Sequence, residues 1–174
     1  MKKTFFLVSL LLACVFGFAQ NGGFAKGDKQ LNIGVGVNSG YDNGIPFGAS
    51  FEVGITDAIS VGGNFDYLSS KFDNTFGDFK FTALYFGARG SYHFNELFEI
   101  ENEKIDVYAG ATVGYRSFSW DDDFDDSLGD DYDSAIFVGI YAGARYYFTD
   151  SIGAFLEVGD IGSTNARLGV TFKF

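Results

Sequence analysis

The stretch Ile105-Asp106-Val107-Tyr108-Ala109-Gly110-Ala111-Thr112-Val113-Gly114-Tyr115-Arg116 alternates without a break. Its odd positions are apolar, and its even positions carry the two charges, the hydroxyls and the glycines. A period of two belongs to a β-strand with unlike faces; a helix would put Ile105, Tyr108 and Thr112 on one side and blur the contrast. Working outward, the same pattern recurs at 31–37, 47–55, 59–67, 84–94, 136–148, 152–159 and 166–174, which makes eight segments in all. In each, one face is free of charge and every charge falls on the other. The chain therefore reads as an all-β, antiparallel up-and-down barrel.

The second face decides which way the barrel turns. A soluble barrel would bury its apolar face and show the other to water. Here the other face is rich in glycine and bulky aromatics and poor in lysine, an unsuitable solvated surface. It suits a narrow interior, because eight strands leave room only for side chains and each large one needs a small neighbour. The apolar face is then the lipid face, with Tyr and Phe near the strand ends as an aromatic girdle. Residues 29–174 are expected to form a transmembrane β-barrel.

The links support this polarity. Residues 55–59 and 148–152 are matching short turns at one end. The longer links 69–80 and 117–134 fall at the other end, as expected of a barrel with short periplasmic turns and longer outer loops. The link 95–104 departs from the rule, being long and acidic for the turn end.

Ahead of the barrel, Lys2 and Lys3 precede the apolar stretch Phe5–Phe16, and Gly17 and Ala19 suit the −3 and −1 positions of a signal cleavage site. Residues 1–19 are expected to be a cleaved signal peptide and 20–28 a short periplasmic N-terminal segment. A lipoprotein signal ending at Cys14 is the alternative, but apolar residues continue past it. Cys14 is the only cysteine, so the mature chain has no disulfide and no thiol chemistry. The full chain carries a net charge of −11, and losing the two lysines makes it more negative, which excludes nucleic acid as a partner. No later apolar run approaches the roughly 20 residues of a spanning helix, so a membrane location requires a closed barrel.

The chain ends in Leu168-Gly169-Val170-Thr171-Phe172-Lys173-Phe174, and Gly-Ala-Arg occurs at both 87–89 and 143–145. With these features residues 29–174 resemble the OmpA/OmpX-type family of eight-stranded outer-membrane barrels. The resemblance implies an outer-membrane location, lipid as the surrounding partner and a monomer. It also implies that Leu168, Val170, Phe172 and Phe174 form the signal read by the barrel assembly machinery. No peptidoglycan-binding domain follows the barrel in these residues, so no such anchoring is expected.

Three groups of side chains are candidates for function. Glu52, Asp66, Asp106 and Glu157 face inward with Arg89, Arg116, Arg145 and Arg167, and Lys173 lies near the lower rim. Charges removed from water must pair, so these eight form either a salt-bridge plug or a polar path. The only histidine, His93, lies inward near the turn end beside Ser91. Catalytic members of the wider barrel class, the lipid A deacylases, place Ser and His toward outer-leaflet lipid, so His93 reads as structural and no enzyme is expected. Between Trp120 and Ser134 lie Asp121, Asp122, Asp123, Asp125, Asp126, Asp130, Asp131 and Asp133. The spacing Asp121, Asp123, Asp125 is that of a calcium loop, but Asp126 and Tyr132 stand where Gly and Glu are required, which excludes an EF-hand. The loop is expected to be solvated, with at most weak calcium or magnesium binding and no other cofactor. The leading expectation is a non-enzymatic barrel with a structural or surface-interaction role through partners the sequence does not name. A narrow pore for ions or very small solutes is the alternative.

Overall fold

The computed structural model describes residues 24–39, 44–74, 77–120 and 134–174. Eight strands form: β1 (Lys29–Ser39), β2 (Phe47–Gly54), β3 (Ile59–Asn74), β4 (Gly77–His93), β5 (Ile105–Trp120), β6 (Ala135–Tyr147), β7 (Ile152–Gly159) and β8 (Thr164–Lys173). Each pairs antiparallel with the next, and β1 pairs with β8, so the sheet closes and has no edge through its middle. Closure pairs each strand on both sides through the middle of the wall, which is what lets a sheet enter lipid.

The alternation maps onto the wall as expected. Along β6 the burial runs in strict alternation, with Ile136 76% exposed, Val138 67% and Ile140 72%, while Tyr141, Arg145 and Tyr147 are buried. Phe51, Phe65, Phe86, Val113, Leu156, Leu168 and Val170 share the outer surface. The inner surface holds Glu52, Asp66, Arg89, Asp106, Arg145, Glu157 and Arg167, all buried. A continuous apolar exterior around a charged interior is the reverse of a soluble protein and far exceeds the apolar patch a soluble monomer tolerates. The wall is a transmembrane wall.

Residues 24–28, Phe174 and the turns 55–58, 94–104 and 148–151 lie at one end, called lower below; the β7–β8 link 160–163 lies at the other, upper end. The two short lower turns are fixed alike. Thr56 Oγ1 accepts from the Ala58 and Ile59 amides at 3.2 and 2.9 Å. Thr149 Oγ1 accepts from Ser151 and Ile152 at 3.4 and 3.0 Å.

The wall is uneven in height. β2 and β7 have 8 residues each, whereas β3, β4 and β5 have 16, 17 and 16. The expected outer loop 69–80 is therefore corrected: β3 and β4 run through it, paired from Ser69↔Thr82 to Asn74↔Gly77. Polar residues there dilute the apolar alternation but leave the backbone free to pair. The link 117–134 is likewise shortened by β5, which continues to Trp120. The signal peptide and the acidic run with Asp121, Asp123 and Asp125 lie outside the described residues.

Large inward rings are housed by glycines. A Cβ on Gly143 would stand 2.5 Å from the Tyr108 ring, and one on Gly110 2.5 Å from the Tyr141 hydroxyl. These two glycines create the space into which the tyrosines of the facing strand lie.

Candidate functional site

The charged interior is built by strand parity. Inward positions of β2, β3, β5 and β7 supply Glu52, Asp66, Asp106 and Glu157; those of β4, β6 and β8 supply Arg89, Arg145 and Arg167. One pair follows the register directly: Asp106 sits opposite Arg145, and its Oδ2 accepts from Arg145 Nη1 at 2.6 Å. The others cross the lumen. Glu157 is the register partner of Arg167, yet its Oε1 accepts from Arg89 Nη2 at 2.6 Å, and Arg167 pairs with Asp66. Glu52 Oε2 lies 3.3 Å from Arg89 Nε and 3.4 Å from Arg145 Nη2.

Neutral groups complete the cluster. Tyr108 donates its hydroxyl to Glu157 at 2.9 Å, and Arg89 Nε donates to the Tyr141 hydroxyl at 3.0 Å. The Arg89 guanidinium lies 4.1 Å from the Tyr141 ring centre and that of Arg145 lies 3.9 Å from the Tyr108 ring. Arg145 Nε reaches Asn32 on β1 at 3.2 Å, so this group and the separate Asp66–Arg167 pair together draw on every strand. Glu52, Arg89, Asp106, Arg145 and Glu157 are tolerated on these terms, each with an opposite partner and further hydrogen bonds, whereas the Asp66–Arg167 pair leaves Asp66 Oδ2 and Arg167 Nε buried without a hydrogen-bond partner.

The structure thus brings together seven of the eight inward charges named from sequence. Arg116 is set apart. It is half-buried, pairs in register with Tyr85 and Ala135, and stands two inward positions above Thr112. Near the lower rim, Lys173 Nζ lies 5.0 Å from the Tyr147 ring centre.

His93 occupies a place that sequence reading passed over. Its Nδ1 lies 2.7 Å from Asp106 Oδ1 and its Nε2 3.0 Å from Ser60 Oγ. Ser60 is the residue sequence analysis missed; the signal was the β3–β4 register, which sets Ser60 opposite Ser91. The spacing is that of a nucleophile, base and acid, but the surroundings are not. Ser60 and Ser91 both donate to Glu52 Oε1, at 2.9 and 2.6 Å, and Ser60 is fully buried. An oxyanion forming at Ser60 would meet a carboxylate where catalysis needs N–H donors. Ser60 Oγ donates its own proton to Glu52 and not to His93.

Below His93 the N-terminal segment crosses the lumen mouth. The Phe24 ring stacks on the imidazole, 3.4 Å between centres and 3° from parallel. Gly27 donates to the Gly54 carbonyl at 2.9 Å, Lys26 N to Asp57 Oδ1 at 3.0 Å, and Ala25 N to Asp28 Oδ2 at 3.0 Å. Burial raises the Asp28 carboxyl above its usual range, against the pull of the Ala25 amide.

Above the charges the lining changes to Leu68, Phe81, Ala83 and Tyr85, with Phe118 and Phe137 packed against them. Ile161, from the β7–β8 link, packs on Tyr108 and Tyr141. Among the described residues no group of three or more His, Cys, Asp or Glu is placed to hold a metal ion.

No family model matches the chain, and no curated protein does. Solved structures are similar in fold. The outer membrane protein OprG from Pseudomonas aeruginosa is 13% identical, the match covering 89% of this chain and 99% of that one, with a TM-score of 0.62. The N-terminal β-barrel domain of Pseudomonas aeruginosa OprF is 19% identical over 86% and 98%, with a TM-score of 0.51. Neisserial surface protein A is 19% identical over 84% and 95%, also at 0.51. The fold is that of the eight-stranded outer-membrane barrels of the OmpA/OmpX type.

Proposed function

We propose that this chain is a non-enzymatic outer-membrane barrel with a structural or surface-interaction role, closed to solutes by its own interior and working without a cofactor. One observation carries the reading: buried ion pairs drawn from seven of the eight strands, with Asn32 of β1 hydrogen-bonded to Arg145, beneath a layer of packed apolar side chains. A channel needs a continuous wet path, and buried pairs at 2.6 Å leave none between their partners. The unfavourable setting of Ser60 supports the absence of acyl-transfer chemistry.

The surface role rests on the uneven wall, since β3, β4 and β5 rise above their neighbours and offer a platform to an external partner. Closure of β1 on β8 leaves no edge through the middle of the wall and supports a monomer. Leu168, Val170, Phe172 and Phe174 are proposed as the series read by the assembly machinery during insertion. Single-channel recording on purified protein in planar bilayers tests the reading. A silent bilayer is expected with barrel inserted; steady ohmic steps would overturn closure and make the protein a narrow pore for ions or small solutes.

A further inference from the structure

The link between β4 and β5 has no counterpart among the other lower turns. It is rigid: the Asn95 side chain donates to the Ile105 carbonyl at 2.5 Å and accepts from the Val107 amide at 3.0 Å, clamping both ends. Phe98 N donates to the Phe94 carbonyl at 2.9 Å, which makes a helical turn, and Glu99 ends it in the left-handed region at φ 51°. That turn holds Leu97 62% and Phe98 60% exposed, side by side.

Their direction follows from what lies behind them. Phe24, Glu96, Glu99, Ile100, Glu101 and Glu103 line a groove on the side of the lumen mouth, and neither Leu97 nor Phe98 contributes to it. On the opposite side an aromatic series runs unbroken off the lipid face. Tyr92 meets Phe94 edge-on at 4.9 Å between ring centres, and Phe94 stacks with Phe98 at 5.3 Å. At the lower end of β6, two strands away, Tyr146 and Phe148 form a similar pair at 5.7 Å.

We propose that the 94–104 turn is a lipid-docking wedge whose Leu97 and Phe98 enter the headgroup–acyl boundary of the leaflet at the lower end. The occupant is zwitterionic phospholipid. Continuity with the lipid face requires a lipid, and Glu96, Glu99, Glu101 and Glu103 on the same link would repel an anionic one. The link is long because it must turn back along the membrane surface, and it is acidic on the side that faces water.

Placing a fluorophore at the wedge tests this. In a Trp120→Phe background, Phe98→Trp is reconstituted into phosphatidylcholine vesicles, with Leu97→Trp as the second variant should the first not fold. The expected emission is blue-shifted and loses most of its intensity when the lipid is brominated near the top of its acyl chains. Glu101→Trp in the same background should emit as in water and ignore the brominated lipid. Red emission quenched by aqueous acrylamide, with no response to brominated lipid, would overturn the proposal. So would blue emission insensitive to the lipid and lost on diluting protein in the bilayer, which would assign the surface to a second copy of the chain.

Discussion

The lower half of the interior, lined from all around the barrel, and the upper half, lined chiefly by β3, β4 and β5, obey opposite rules. In the lower half the inward positions are Glu52, Asp66, Arg89, Asp106, Arg145 and Glu157, and the outward positions are apolar. In the upper half the inward positions become Leu68, Phe81, Ala83 and Phe118, while the outward ones become Ser69, Thr82, Ser117 and Ser119. The inversion falls between Tyr67 and Ser69 on β3, Leu84 and Thr82 on β4, and Tyr115 and Ser117 on β5. Register ties these positions together, since Tyr67 opposes Leu84 and Leu84 opposes Ser117. What changes at that level is the solvent outside. Against lipid, the apolar side chains face out and polar groups must pair within; against water, the ordinary soluble arrangement returns. The comparison locates the membrane surface on the tall side of the wall.

The largest expected effect comes from breaking the lower half. Arg145→Ala removes the partner of Asp106 and a contact of Glu52 and Asn32, and should cost about 3–5 kcal/mol because it strands buried carboxylates. Urea titration of folding into vesicles measures it; a loss within the scatter of surface variants would show that water reaches the network.

A pair of outward substitutions sharpens the boundary itself. Ile140→Arg should destabilise by about 2–4 kcal/mol if its site lies near the midplane, whereas Ser119→Arg should stay within about 0.5 kcal/mol. Equal costs at the two positions would erase the proposed level.

Inside the barrel, the smaller effect is expected in the upper half. Phe81→Leu alters shape within an apolar cluster, loosening its stack on Phe118, and should cost less than about 1.5 kcal/mol. The loss should not vary with salt, since no charge is involved. A cost approaching that of Arg145→Ala would mean that the barrel is held mainly from above.

That inversion also explains what the sequence concealed. Strand parity placed Glu52, Asp66, Asp106 and Glu157 inside without any structure, because a period of two runs unbroken through their segments. At 67–69 the phase of the alternation flips while the strand continues, so a search for one apolar face ends the strand and reads a loop at 69–80. Arg116 has inward parity like Arg89, but parity carries no information about height, and Arg116 stands two inward positions above Thr112. His93 and Ser60 stand 33 residues apart, and their contact needed the register across a turn. Phe24 was unreadable for another reason: five residues from Phe24 to Asp28 show no period, and their place is set by a stack on His93 and hydrogen bonds to Gly54 and Asp57.

The seam where the sheet closes has a consequence for the order of events in folding. Lys29 and Phe174 exchange hydrogen bonds in both directions, Lys29 N to the Phe174 carbonyl at 3.1 Å and Phe174 N to the Lys29 carbonyl at 2.9 Å. The first strand is therefore completed by the eighth, and a chain lacking β8 cannot shut the cylinder. Hairpins such as β3–β4 close short loops and form early at little entropic cost, while the seam must wait for contacts of the longest range the chain contains. Until then β1 keeps one open edge, the part of the nascent protein most exposed to mispairing with another chain.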